Sequence, residues 1–103
     1  MKILSKSESF DAIKSESFEK KIFLQFSASW CGPCKVYMGN ISKIENDFSN
    51  EYIFYKIDIE DHPKLTKDFM IRSVPQTAII QNGEVLEQFV GMKSIDDLKV
   101  ILK

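Results

Sequence analysis

The only thiols in the 103-residue sequence, Cys31 and Cys34, stand two residues apart in the run Trp30-Cys31-Gly32-Pro33-Cys34. A thiol attacks only as its thiolate, and a free cysteine is mostly protonated at neutral pH. The run separates an apolar stretch, Lys21 to Ser27, from a stretch whose apolar residues recur at helical spacing. Cys31 is therefore expected at a helix start, where unpaired N–H groups converge and the helix dipole is positive. That field favours the thiolate. The two-residue spacer brings the second sulfur within reach once the helix turns. The chemistry this suits is disulfide exchange: Cys31 attacks a partner's disulfide, and Cys34 then displaces the reduced partner from the mixed disulfide. Gly32 lets a partner approach closely, and Pro33 stiffens the turn.

Two other readings compete for the same pair. As a structural staple, a Cys31–Cys34 bridge closes a very short loop and contributes roughly 2 kcal/mol before any strain is subtracted. That is a poor staple, better suited to opening and closing. As half of a zinc site the pair needs two further ligands, and the chain has a single histidine. Carboxylates can stand in, but none is paired at a telling spacing, so no metal or other cofactor is expected.

The elements that must position the pair follow from local pattern. Phe10, Ile13 and Phe18 predict a short first helix within the serine- and glutamate-rich stretch Ser5 to Ser17. Lys21 to Ser27 carries apolar side chains on both faces, as a central, covered strand does, with polar Gln25 interrupting it. Tyr37, Ile41, Ile44 and Phe48 form one apolar face of a helix from about Cys34 to Phe48. Pro33 suits its first turn. Tyr52 to Ile59 reads as the next strand, and His62-Pro63 opens a short helix to about Phe69. Gln76 to Gln81 and Val85 to Val90 are strands joined at Asn82-Gly83, a hairpin signal. Ser94, with Asp97 three residues on, caps a last helix to Leu102. Met1 to Leu4 adds a candidate edge strand. Alternation followed by a hairpin implies an α/β fold, a mixed sheet with helices on both faces.

Length and composition agree. The 103 residues suit one domain, 1–103, able to bury a core without a staple. Fourteen basic against fifteen acidic residues leave a formal charge of -1, and no basic run points to nucleic acid or an anionic membrane. Ile3-Leu4 is too short for a secretory apolar region, and no segment approaches membrane-spanning length. The expectation is a cytoplasmic protein, monomeric, with no membrane partner.

At this point the sequence resembles the thioredoxin family over almost the whole chain. The resemblance rests on WCGPC after an apolar strand, Val74-Pro75 about forty residues on, Asn82-Gly83 in a hairpin, and Phe89-Val90-Gly91 before the last helix. It implies the thioredoxin fold, with a four- or five-stranded sheet. It also implies a cis Val74-Pro75 peptide packed against the disulfide; the residues alone favour an ordinary trans turn proline, since only about 5–6% of such bonds are cis. By the same resemblance Trp30, Val74, Pro75, Gly91 and Met92 frame a shallow apolar surface around Cys31 where a partner binds as an extended peptide. Trp30 as a packing residue is the competing reading. The Gly-Pro spacer resembles the reducing members; thioredoxin itself lies near about -270 mV, a potential that favours giving electrons in the cytosol.

The sequence also departs from that pattern. Six residues before Cys31, where the family carries a buried Asp thought to take the proton of the second cysteine, stands Gln25. An amide cannot accept a proton at neutral pH. Lys56 matches the lysine that usually faces that Asp and so lacks its partner; it is expected to reach solvent or another acid. Cys34 would then lose its proton to water or to the leaving thiolate, and Gln25→Asp should speed that step. Ser27 replaces a usual Trp or other aromatic and is expected to leave the site more open or more polar on one side. Gly39 replaces a usual proline, at a cost of about 1 kcal/mol to the long helix. His62 reads as a solvated loop residue.

The function expected is protein-disulfide reduction by a Cys31–Cys34 dithiol, itself recycled by a thioredoxin reductase or an equivalent donor. A specialised redox carrier for one partner and a non-enzymatic binding module on the same fold are the rivals. Gln25 and Ser27 keep the carrier open.

Overall fold

The computed structural model describes residues 1–103. Its elements are β1 (Lys2–Ile3), α1 (Asp11–Glu16), β2 (Lys21–Ser27), α2 (Gly32–Ile44), β3 (Tyr52–Asp58), α3 (Pro63–Asp68), β4 (Gln76–Gln81), β5 (Glu84–Val90) and α4 (Ile95–Leu102), with a 3-10 turn at Asn46–Phe48. The strands form one five-stranded sheet in the order β1-β3-β2-β4-β5. β1, β3 and β2 run parallel, and β4 and β5 join antiparallel to their neighbours. Lys2–Ile3 is the fifth strand, paired with β3 at Tyr55 and Lys56.

β2 sits at the centre because both its faces are apolar. Ile22, Leu24 and Phe26 pack into one core with Ile13 of α1, Tyr55, Ile57, Ala78 and Ile80. Phe23 packs into the other with Tyr37, Ile41 and Ile44 of α2 and Leu98 and Leu102 of α4. Helices therefore cover both faces, α1 and α3 on one, α2 and α4 on the other. Each of these buried aliphatic or aromatic side chains contributes about 1.5–3 kcal/mol relative to an exposed one.

α1 is the short helix expected, six residues long, and Ser5 to Ser9 before it is held in a turn by the Ser5 N–H donating to the Glu8 carboxylate at 2.9 Å. Two boundaries differ from the sequence reading. α2 starts at Gly32, earlier than expected, and ends at Ile44. Phe48 still reaches the core, but on the 3-10 turn, whose tighter pitch turns it inward. At the hairpin, Asn82 and Gly83 have φ of 52° and 78°, the left-handed pair that a two-residue turn requires. Ser17 pins this turn to α1: its hydroxyl accepts from the Gly83 N–H at 2.9 Å, and its carbonyl accepts from the Asn82 N–H at 3.0 Å.

Candidate functional site

β2 ends at Ser27, and four residues later Cys31 forms the N-cap of α2, with extended backbone at φ -90° and ψ 106°. Its Sγ accepts a hydrogen bond from the Cys34 N–H at 3.2 Å. The sulfur thus occupies the place where a Ser or Asp oxygen usually caps a helix, facing the free N–H groups and the positive end of the dipole. Negative charge on that sulfur is stabilised there. Pro33, in the first turn, gives up an N–H the helix does not use. The two sulfurs are bonded to each other, with a Cα–Cα distance of 5.3 Å that fits ordinary disulfide geometry. Ala28, Ile59 and Val74 pack around the pair, and both cysteines are buried while Gly32 and Pro33 are exposed.

The chain from α3 to β4 supplies the opposite wall. Cys31 Sγ lies 3.8 Å from the Val74 carbonyl oxygen, and the Val74-Pro75 peptide is cis. The Pro75 carbonyl accepts the Gly91 N–H at 2.9 Å, which ties the end of β5 to this wall; Gly91 has φ of 89°. The fold thus brings Cys31, Cys34, Val74, Pro75 and Gly91 together from three distant stretches. Trp30 is 68% exposed and Met92 48%, so both present apolar surface to solvent on the segments that carry Cys31 and Gly91. With that exposure Trp30 is free of the core-packing role that competed for it.

Gln25 and Lys56 are register partners on the sheet face that carries α2. Gln25 is fully buried, and neither its amide nitrogen nor its oxygen has a hydrogen-bonding partner in the protein. Lys56 is half-buried and forms no ion pair within 4 Å, so of the two expected outcomes, solvent or another acid, it takes the first. Ser27 does not open the site, being 1% exposed on the same face as Gln25, but its unpartnered hydroxyl makes that side polar, the other expected outcome. His62 is half-buried with Nε2 3.1 Å from the Leu4 carbonyl oxygen, which makes it a tether for the N-terminal segment rather than a solvated residue.

Sequence reasoning missed the role of one member of this neighbourhood. Tyr37, one helical turn beyond Cys34, is fully buried with its hydroxyl 2.8 Å from Thr77 Oγ1, a polar bridge between α2 and β4. Burial pushes the Tyr37 hydroxyl up to about 12, against the opposing effect of the Thr77 bond. The helical pattern reveals Tyr37 as a core position but not its partner.

The comparisons agree with the geometry. The Thioredoxin family model matches residues 1–103. The mitochondrial thioredoxin of Mus musculus is 35% identical over 85 residues, 82% of this chain and 51% of the relative. The chain therefore spans about half the length of the mitochondrial relatives it matches. The thioredoxin of Buchnera aphidicola is 36% identical over 90 residues, 87% of this chain and 81% of the relative. Among solved structures, the germline-specific thioredoxin Deadhead of Drosophila melanogaster superposes with a TM-score of 0.84 at 25% identity, covering 98% of this chain and 94% of its own. A disulfide whose outer sulfur caps a helix, facing a cis-proline wall in a sheet of this order, and a family match over every residue lead to one assignment: the chain belongs to the thioredoxin family.

Proposed function

We propose that residues 1–103 form a single domain that reduces disulfides in partner proteins and is itself recycled by a thioredoxin reductase or an equivalent dithiol donor. The observation that carries this reading is Cys31 Sγ as the cap of α2, 3.2 Å from the Cys34 N–H and bonded to Cys34. The Cys31 thiolate attacks one sulfur of the partner's disulfide, and the partner's other sulfur leaves with the electron pair. Cys34 then attacks Cys31, closing the intramolecular bond and releasing the partner's second thiolate. The partner gains two electrons and the Cys31–Cys34 pair loses them.

Trp30, Val74, Pro75, Gly91 and Met92 are the proposed contact surface for the partner's extended segment. The Val74 carbonyl beside the sulfur suits pairing with a peptide backbone. None of the three hollows in the protein surface is lined by these residues, which favours a macromolecular over a small-molecule substrate. Gly32 and Pro33 keep the approach to Cys31 low and rigid. A monomer in the reducing cytoplasm is the setting in which this chemistry runs toward reduction; no helix is long and apolar enough to cross a membrane. The uncharged, buried Gln25 and Ser27 favour a second reading, a carrier specialised for one partner.

Insulin reduction, driven first by dithiothreitol and then by NADPH with a thioredoxin reductase, tests the proposal. Turnover with both donors, abolished by Cys31→Ser, is expected. Turnover with dithiothreitol alone supports the specialised carrier, and inactivity with both refutes reduction and leaves a binding module.

A further inference from the structure

Gln25 and Ser27 put three buried polar atoms, the amide nitrogen and oxygen and the hydroxyl oxygen, on one face of β2 without a protein partner. Leaving such groups unsatisfied costs about 1–3 kcal/mol each, whereas an internal water with two to four polar partners satisfies them. Their position makes the site chemical. Gln25 is in register with Thr77 on one side and Lys56 on the other, and Ser27 with Asp58. Tyr37 lies over Thr77. α2 runs back along β2 after the crossover, so Cys34, one turn before Tyr37, lies toward the Ser27 end. Its packing against Ala28 and Ile59, the residues that follow Ser27 and Asp58, places it there independently. Asp58 is half-buried at the open edge of this strip, and its carboxylate already accepts the Glu60 N–H at 2.8 Å.

We propose that Gln25 and Ser27 hold internal water beneath Cys34, and that this water carries the Cys34 proton to the Asp58 carboxylate as the Cys31–Cys34 bond closes. The proposal rests on the exchange reading given above. In the step, the Cys34 S–H bond breaks and its proton passes through water to Asp58. The Cys34 sulfur bonds to Cys31, and the partner's sulfur leaves Cys31 with the electron pair. Asp58 then returns the proton to solvent. Asp58, Gln25 and Ser27 act through the water and are positioning residues. The other titratable groups on this face are Lys56 and Tyr52 on β3, Lys21 at the far end of β2, whose Nζ lies over the Tyr52 ring, and Tyr37 and the cysteines on α2. Glu60, Asp61 and His62 follow Asp58 in the next loop, with His62 turned to the Leu4 carbonyl. β4 presents none, and α4 presents Leu98 and Leu102 to the core.

The test isolates closure. The dithiol form is mixed with an aromatic disulfide reagent, and release of the first and second coloured thiolates is followed by stopped flow. At pH 7, Asp58→Asn and Ser27→Ala are each expected to slow the second release by at least about tenfold and leave the first within about twofold. The double variant is expected to be no slower than the slower single, since both interrupt one path. Above about pH 10, where a thiol ionises unaided, all variants should converge on the parent rate. Asp58→Asn keeps the Glu60 N–H acceptor, so it separates the proton path from folding. A second release unchanged in Asp58→Asn, or slowed equally at every pH, overturns the relay while leaving the reductase reading intact. Absence of the first release in the parent protein overturns both.

Discussion

Replacing Tyr37 with Phe tests how the second cysteine's helix is fixed to the sheet. The Tyr37 hydroxyl and Thr77 Oγ1 are 2.8 Å apart, and both residues are fully buried. Removing one hydroxyl strands the other, so Tyr37→Phe and Thr77→Val should each destabilise by about 1–3 kcal/mol. In a domain of this size that lowers Tm by roughly 4–8 °C per kcal/mol. The double variant replaces both groups with apolar shapes and should recover much of the loss, leaving a coupling of about 1–2 kcal/mol. A pH signature accompanies it. Burial raises Tyr37 from about 10 unfolded to about 12 folded. The neutral hydroxyl therefore contributes its full stability below pH 10, and that contribution is lost as pH rises toward 12, in total about 2–3 kcal/mol. Tyr52 and Tyr55 are also raised, chiefly by burial, so the parent loses more than this. Urea unfolding from pH 8 to 11.5 should give a shallower alkaline decline in Tyr37→Phe. Additive single-variant effects, or identical alkaline slopes in parent and variant, refute the bridge.

Other predictions concern the frame around the site. A Cβ at Gly39 meets nothing within 4 Å, so Gly39→Ala should stabilise α2 by about 0.5–1 kcal/mol, read as a higher urea midpoint at unchanged m. Gly83→Ala should act oppositely, by about 1–2 kcal/mol, because φ is 78° and the new Cβ would lie 3.2 Å from the Phe18 ring. Ser94 Oγ accepts the Asp97 N–H at 3.1 Å, and Ser94→Ala should remove about 1 kcal/mol, with amide exchange rising first in α4.

What the sequence reveals and what it hides divide along physical lines. The strand-to-helix junction at Cys31, the Asn82-Gly83 turn and the Ser94 cap are set by neighbours within four residues, so local pattern identifies them. Central placement of β2 is legible for a related reason, since apolar side chains on both faces have to be covered. Val74-Pro75 is different: proline alone favours trans, and only the family resemblance placed it against the sulfurs. The misses are tertiary. Ser27 reads as opening the site or making it polar, yet it is buried; His62 reads as solvated, yet the Leu4 carbonyl lies 3.1 Å from it, 58 positions away. Ser17 and Thr77 carry no signal of their distant partners, because a hydroxyl binds whatever the fold delivers.

The central claim is that the sulfur capping α2 is the reactive one and that it cycles reversibly with its neighbour. Equilibration of the protein in graded dithiothreitol buffers, quenched by brief alkylation and read by mass, measures both at once. A single two-electron transition within about 30 mV of thioredoxin's own value near about -270 mV is expected, with Cys31 modified well before Cys34 in the reduced form. Two cysteines that alkylate at the rate of an unfolded peptide, or the absence of any reversible couple, would contradict it.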